Sequence, residues 1–441
     1  LVQDSRAAGA TLALEGGDSF FKEARLPQEL QAQWRDKAQL IAQAYGAFLD
    51  VYVPGELDLA DGADAFLALV KAHKVPVVAA NLTDADGKPL FPASVVKTVD
   101  RLKVLVVGVV DPVLFPRDGA VRATDAVPAI RSALKDAPGH DVAILVAHAD
   151  SDAAHALAAA VPEFSLILTS HSGQLFFQPK VVPFPAGAPV DQALAFGSSK
   201  GGKYVARLRA AFVPGDRSFL GGEVRSKARF DLDAAQHKSR GLPKDEALKA
   251  AYEAARATVA AQDAQSHADF DAVGLEAGLR EDAEIARKVA AYNTHNAERE
   301  AQYAARQAPP PSEMVKASPY AGSNACKVCH ANAFEVWKET DHSHAMASLR
   351  KSSQQLDREC VGCHSTGYQQ AGGYTDPAGM GAFAEVQCEA CHGPSRAHAE
   401  GKSRAHRAAG EQTCRRCHTQ DATPQFRFDR DRLRIKHWTG P

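Results

Sequence analysis

A chain of 441 residues with 45% hydrophobic residues, 24% charged residues and a formal net charge of −2 is neither disordered nor strongly basic. That length exceeds what one hydrophobic core serves, so two or three domains are expected. The lack of a basic footprint excludes nucleic acid as an implied partner, and no apolar run is long enough for a bilayer-crossing helix.

The first residues, LVQDSRAAG, lack the basic start, apolar stretch and small-residue cleavage site of a secretory signal. Leu1 therefore reads as the start of a processed or cropped chain, and export has to be argued from other residues.

Residues 1–235 read as a layered α/β domain. TLALEGGDSFF is an apolar strand ending in a Gly-Gly-Asp turn, and VPVVAANL, RLKVLVVGVVD, HDVAILVAHAD and FSLILTSHSG repeat that form. Ala-rich helical stretches, ADAFLALVKAH and AVPAIRSALKDA, lie between them. KYVARLRAAFVPG and GEVRSKARFDL suggest a late antiparallel pair. Residues 236–312 change character: Ala, Glu, Lys, Arg and Gln dominate, which predicts a helical spacer with helices near 243–263 and 276–307. APPPSE at 308–313 is a Pro-rich break, and a mostly α or irregular domain follows over 313–441.

Cysteine usage decides the class of that last domain. All eight cysteines belong to Cys-x-x-Cys-His units: Cys326, Cys329 and His330; Cys360, Cys363 and His364; Cys388, Cys391 and His392; Cys414, Cys417 and His418. A bare Cys-x-x-Cys pair suggests zinc or a redox dithiol, and neither needs His immediately after every pair. With 17 His in 441 residues, four such coincidences have odds of roughly one in a few hundred thousand. The pentapeptide suits covalent haem instead. The two thiols form thioethers with the porphyrin vinyl groups, and the His sits under the ring as proximal iron ligand. Four covalent haem c groups are expected, with His330, His364, His392 and His418 as proximal ligands.

Four irons need four more ligands if all are six-coordinate. The domain offers His342, His344, His398 and His437 as the leading distal candidates. His406, and His295 in the preceding helix, are further ones. Met346 and Met380 are the methionines within reach, so bis-His ligation and low potentials are favoured over His/Met. His342 and His344, two apart on an expected helix (FEVWKETDHSHAMASL), lie about 200° apart around its axis and so serve different haems.

With these residues in view, the C-terminal domain resembles the tetrahaem cytochrome c-554 family. The matching features are Tyr320-Ala-Gly, Trp337, Thr340-Asp-His342 and Ala345, CHSTGY at 363–368, CEACHGP at 388–394 with His398 following, and Ile435-Lys-His437. The resemblance implies haems in stacked pairs, mostly bis-His, carrying electrons between partners; in that family one haem can lack a distal ligand.

The N-terminal domain resembles the metallophosphoesterases of the 5′-nucleotidase type, through GGDSFF (16–21), VPVVAANLTDADGKPLF, KVLVVGVVD, LVAHAD around His148 and LILTSHSG around His171. The resemblance implies a dinuclear metal centre that polarises a phosphoryl group and generates hydroxide, with Asp18, His148 and His171 at ligand positions. This sequence departs from the pattern. PGELDL (54–59) stands where the family has Gly-Asn-His-Glu, and Gly173 replaces the second His of Gly-His-x-His. The family's first strand, with its Asp-x-His ligands, would precede Leu1. The expectation is therefore a catalytically degenerate scaffold.

The function expected is that of an extracytoplasmic multihaem electron carrier, not an enzyme, exchanging electrons with other redox proteins or cytochromes. It would be periplasmic, outer-membrane-associated or extracellular, because bacterial c-type haem is attached outside the cytoplasmic membrane. The alternatives are a haem enzyme acting on a small nitrogen ligand at a five-coordinate haem, a metal-dependent phosphoesterase with a fused cytochrome, and a subunit of a conductive cytochrome assembly, as homo-oligomer or filament.

Overall fold

The computed structural model describes residues 1–115, 119–171, 178–197, 202–241, 245–275, 278–306, 318–375, 381–403, 409–419, 422–423 and 425–437. It forms two compact units, Leu1–Glu281 and Asp282–Pro441. The Pro-rich break at 308–313 lies outside the described residues.

The first unit is built on β-branched runs that become buried strands. Two short parallel strands come first, β1 (Leu14–Glu15) and β2 (Val51–Tyr52). The main sheet follows, with β3 (Ser94–Val99), β4 (Leu102–Val110), β5 (Val142–His148), β6 (Leu166–Thr169), β7 (Lys180–Pro183) and β8 (Gln192–Gly197). Its order is β3-β4-β5-β6-β8-β7. The four central strands run parallel, and β3 and β7 pair antiparallel at the two edges.

Parallel strands need crossovers, and the Ala-rich stretches supply them. Helices Ala126–Asp136 and Ser151–Ala160 are each capped by an aspartate, Asp125 and Asp150, whose side chain accepts a first-turn backbone N–H. They cover one sheet face, where Leu105, Val107 and Val109 alternate with Val104, Val106 and Val110 of the opposite face. A third core, around Phe20, Trp34, Tyr52 and Phe66, is closed by helices Gln31–Phe48 and Ala63–Ala72.

One expected pairing is corrected. GEVRSKARFDL is not a strand but the start of helix Gly222–Gly241. Charged residues surround it, and Lys227 and Asp231 pair at i,i+4, as suits an exposed helix. The antiparallel partner of β9 (Tyr204–Ala211) is instead a later strand, which also pairs with the short β10 (Leu220–Gly221): β11 (His267–Gly274). The helices expected near 243–263 and 276–307 are Glu246–Asp263 and Ala283–Arg306.

The second unit begins with Ala283–Arg306. Glu300, 2% exposed, makes a bidentate pair with Arg358 at 2.6 and 3.1 Å, and Asn296 donates to Asp357. This helix is therefore fastened to the segment that opens the second Cys-x-x-Cys-His unit. Beyond it the elements are short, four to eight residues each from Ser323 to Ile435. The apolar cluster among the described residues is small: Tyr320, Met346, Leu349, Val361, Tyr374 and Phe383. The expected continuous helix through FEVWKETDHSHAMASL is broken into Ala331–Lys338, a 3-10 turn Asp341–His344, and Ala345–Lys351. Extended backbone at Thr340 causes the break.

Candidate functional site

Each Cys-x-x-Cys-His unit lies on a helical turn. Cys360 to His364 and Cys388 to His392 fall inside helices Arg358–His364 and Cys388–His392. In the other two units the His backbone N–H reaches back to the carbonyl of the first cysteine, at 2.9 Å for both His330 and His418. A single turn places residues i, i+3 and i+4 on one face, so both sulfurs and the imidazole of each unit address the same side.

The imidazoles then fall into pairs. Ring centroids of His330 and His398 are 6.1 Å apart, those of His342 and His418 6.0 Å, and those of His392 and His437 5.9 Å. Two imidazoles bound through Nε2 to one iron, at about 2 Å each, have centroids about 6 Å apart. Hydrogen bonds turn several rings the required way. Nδ1 of His364 lies 2.7 Å from the Ala345 carbonyl, that of His398 3.1 Å from the Ser403 carbonyl and that of His437 2.8 Å from the Ile435 carbonyl. A carbonyl can only accept, so each Nδ1 carries the proton and Nε2 is the nitrogen left that could hold a metal.

Of the other sequence candidates, His344 is exposed at the end of its 3-10 turn, and His295 is exposed on helix Ala283–Arg306. His406 and Met380 lie outside the described residues. Met346 is fully buried in the apolar cluster. Among the described residues, the rings seen opposite Cys-x-x-Cys-His histidines are those of His342, His398 and His437.

Buried polar groups lock the first unit of the motif series to the third. Glu389, inside CEACH and 3% exposed, accepts backbone N–H bonds from Ala321, Gly322 and Ser395 at 2.7–3.0 Å. Gln387 accepts from Ser323, and the Trp337 indole N–H donates to the Val386 carbonyl at 2.8 Å. Cys326 and Cys388 are within hydrogen-bonding reach of one another, as are Cys363 and Cys417. The first unit thus lies beside the third, and the fourth beside both the second and the third.

Residues 325–393 match the family model described as cytochrome c554 and c-prime. Cytochrome c-554 of Nitrosomonas europaea is 37% identical over 94 residues, which is 18% of this chain and 40% of that protein. The chain thus spans well under half the length of this curated relative. The matched region, which contains the first three Cys-x-x-Cys-His units, is similar to that family.

Solved structures similar to the N-terminal part of the chain include 5′-nucleotidases, a calcineurin-like phosphoesterase and a sulfate thiohydrolase. The 5′-nucleotidase precursor of Thermus thermophilus is 17% identical, with a TM-score of 0.45 over 67% of this chain and 52% of that one. The calcineurin-like phosphoesterase YfkN of Bacillus subtilis is 15% identical, with 0.43 over 67% and 86%. Sulfate thiohydrolase SoxB of Thermus thermophilus is 21% identical, with 0.39 over 47% and 38%.

In the first unit a second constellation gathers at the carboxyl ends of the parallel strands, where ligands bind in open α/β sheets. Asp18 follows β1, Glu56 follows β2, His148 ends β5 and His171 follows β6. One ligand atom from each lies within 4.8 Å of all the others. Asp18, His148 and His171 were legible in the sequence; Glu56 was not, because PGELDL reads there as lost ligands. The loop after β1 is held open by Asp58. Its buried carboxylate accepts backbone N–H bonds from Asp18, Ser19, Phe20 and Gly55 at 2.8–3.0 Å, and the Tyr52 hydroxyl at 2.5 Å. Asp18 adopts φ of 58°, a left-handed conformation that this network maintains. A Cβ at Gly55 would run into Asp18 Oδ1 and His148 Cε1, so the glycine is what lets the two loops close.

His148 is fully buried. Burial disfavours its charged form, but the Glu56 bond and the Asp18 charge outweigh that and raise its pKa. Burial also pushes the Glu15 carboxyl up to about 7. Among the described residues these four donors could hold one ion, whereas two-metal hydrolytic centres hold ions about 3.5–4 Å apart, each with its own ligands.

Proposed function

We propose that this chain is an electron carrier with four covalent haems, exchanging electrons with redox proteins outside the cytoplasmic membrane. The observation that carries the reading is the set of three imidazole pairs at haem-spanning separation, each containing one Cys-x-x-Cys-His histidine. In this reading His330 and His398 hold the haem on Cys326 and Cys329. His392 and His437 hold the one on Cys388 and Cys391, and His418 and His342 the one on Cys414 and Cys417. His364 holds the haem on Cys360 and Cys363 from its proximal side. The protein supplies spacing, axial ligation and polarity, and the haem supplies the redox couple. Bis-His ligation keeps the potentials low. The closeness of the first unit to the third, and of the fourth to the second and third, gives short steps for electrons between their haems. Extracytoplasmic placement follows from where haem c is attached; no helix among the described residues is long and apolar enough to cross a membrane. The limits 1–235, 236–312 and 313–441 remain our proposed division into scaffold, spacer and haem domain.

A second reading is favoured by one observation. Among the described residues no imidazole faces His364, whose Nδ1 is bonded to the Ala345 carbonyl. An iron there with an open sixth position would bind a small nitrogen ligand. Film voltammetry distinguishes the two readings. A pure carrier gives reversible waves integrating to four electrons, unchanged by nitrite, nitric oxide or hydroxylamine. A catalytic current with any of these substrates would replace the carrier reading with an enzymatic one.

A further inference from the structure

We infer that Phe426 and Thr423 are positioning residues for His418. They fix the rotation and the tautomer of its imidazole, and so tune the haem on Cys414 and Cys417, in the reading that His418 and His342 hold that iron.

The loop after the fourth Cys-x-x-Cys-His unit doubles back on its own histidine. The Thr423 N–H bonds the Thr419 carbonyl at 2.8 Å, and the Phe426 N–H bonds the Thr423 carbonyl at 2.9 Å. These turns bring the Phe426 ring against the His418 ring, with centroids 4.5 Å apart and planes 10° from parallel. Phe426 is itself held, because the Arg415 guanidinium, paired with Glu411 at 3.0 Å, lies 5.1 Å from its ring centroid. Arg415 belongs to CRRCH, so this unit carries its own clamp. At the same distances after the other motif histidines stand Glu335 and Lys338, Gln369 and Gly372, and Ala397 and Glu400. None of those pairs joins a hydroxyl to an aromatic ring.

An imidazole bound through Nε2 can turn about the iron–nitrogen axis, which lies in the ring plane. Turning His418 that way drives its edges out of plane and into Phe426, so the parallel stack resists the motion. The Nε2 lone pair lies in the ring plane, and the stack leaves it uncovered. Rotation matters because the two ligand rings together split the iron orbitals of π symmetry. Parallel rings separate those orbitals, whereas crossed rings leave them nearly equal in energy. The three pairs differ in this respect: 22° between His330 and His398, 56° between His342 and His418, and 76° between His392 and His437. Phe426 holds its pair between the two extremes.

Thr423 acts at the other nitrogen. Its Oγ1 lies 3.2 Å from His418 Nδ1, the place a backbone carbonyl takes at His364, His398 and His437. With Nε2 on iron, Nδ1 carries the proton and donates it to the hydroxyl oxygen. That bond increases the basicity of the ligand and favours ferric iron.

Low-temperature EPR of the oxidised, haem-loaded chain tests the positioning, together with a potentiometric titration followed in the Soret band. His342→Ala identifies the signal concerned by converting its haem from low to high spin. Phe426→Leu should shift the largest g value of that one signal, and Phe426→Trp, which puts back a flat ring, should return it toward the original. Thr423→Val, close in shape but without the hydroxyl, should raise one of the four potentials and leave the others in place. Intact mass and circular dichroism confirm that each variant is loaded and folded; Thr423→Val, the mildest change, decides alone if Phe426→Leu does not load. If His342→Ala removes no low-spin signal, the pairing itself fails, and the inference with it. If it removes one that Phe426→Leu leaves unmoved, or if Thr423→Val changes no potential, the pairing stands and the positioning role is overturned. Equal shifts in every signal would show general loosening and overturn it too.

Discussion

Replacing Asp58 by Asn should weaken the first unit by a predictable amount while leaving the haems untouched. The carboxylate is buried and holds five donors: Oδ1 takes the Ser19 and Phe20 N–H groups, and Oδ2 takes those of Asp18 and Gly55 and the Tyr52 hydroxyl. An asparagine offers one oxygen. Its NH2 group then faces two backbone N–H groups that have nowhere else to turn, whereas the tyrosine hydroxyl can rotate and accept. Each stranded buried donor costs about 1–3 kcal/mol, so the variant should lose roughly 2–6 kcal/mol. Unfolding entropy of about 2.1 cal/mol/K per residue over the 281 residues of Leu1–Glu281 comes to roughly 0.6 kcal/mol/K. The transition of that unit should therefore fall by about 3–10 °C. Differential scanning calorimetry measures it, with Soret absorbance monitoring the haem unit in the same sample. A shift under 1 °C would refute the reasoning, because it would mean that Asp58 does not carry the loop on which Asp18 sits.

Further outcomes follow from the same geometry. His398→Ala should convert the haem on Cys326 and Cys329 from low to high spin, seen as loss of one low-spin signal in low-temperature EPR; an unchanged spectrum would dismiss that pairing. Glu300→Ala leaves the Arg358 guanidinium buried without its partner and should cost about 3–5 kcal/mol in the second unit, read as a lower thermal midpoint by Soret loss. Glu15 has its folded pKa raised from 4.5 to about 7 by burial, so it opposes folding increasingly as pH rises from 4.5 and fully above 7. Glu15→Gln should thus stabilise the chelated protein by roughly 1–3 kcal/mol at pH 8 and have little effect at pH 4.5; equal effects at both would contradict it.

The parts of this molecule legible in its sequence are those set by local chemistry. Cys-x-x-Cys-His needs no tertiary context, because one helical turn delivers all three side chains to the same face. The runs Leu102–Val110 and Val142–His148 announce themselves as buried parallel strands because both faces must be apolar. Long-range pairing was not legible. His267–Gly274 has no long apolar run and becomes a strand only through its ladder with Tyr204–Ala211, including the Arg207–Asp271 pair at 3.0 Å. The partner assignment of His398, which sits after the third motif but faces the first, is likewise a product of the fold. Glu56 was hidden for a related reason: its neighbours in space, Asp18 and His148, lie over 30 and 90 residues away in sequence.

The central claim is that iron porphyrins are tethered at all four Cys-x-x-Cys-His units. Intact mass spectrometry of the denatured, purified chain tests it most directly, since thioether-bound haem survives unfolding and free haem does not. The account predicts a mass about 2.5 kDa above the 47.0 kDa polypeptide. A mass at the bare polypeptide value, or an increment matching fewer than four haems, would contradict it.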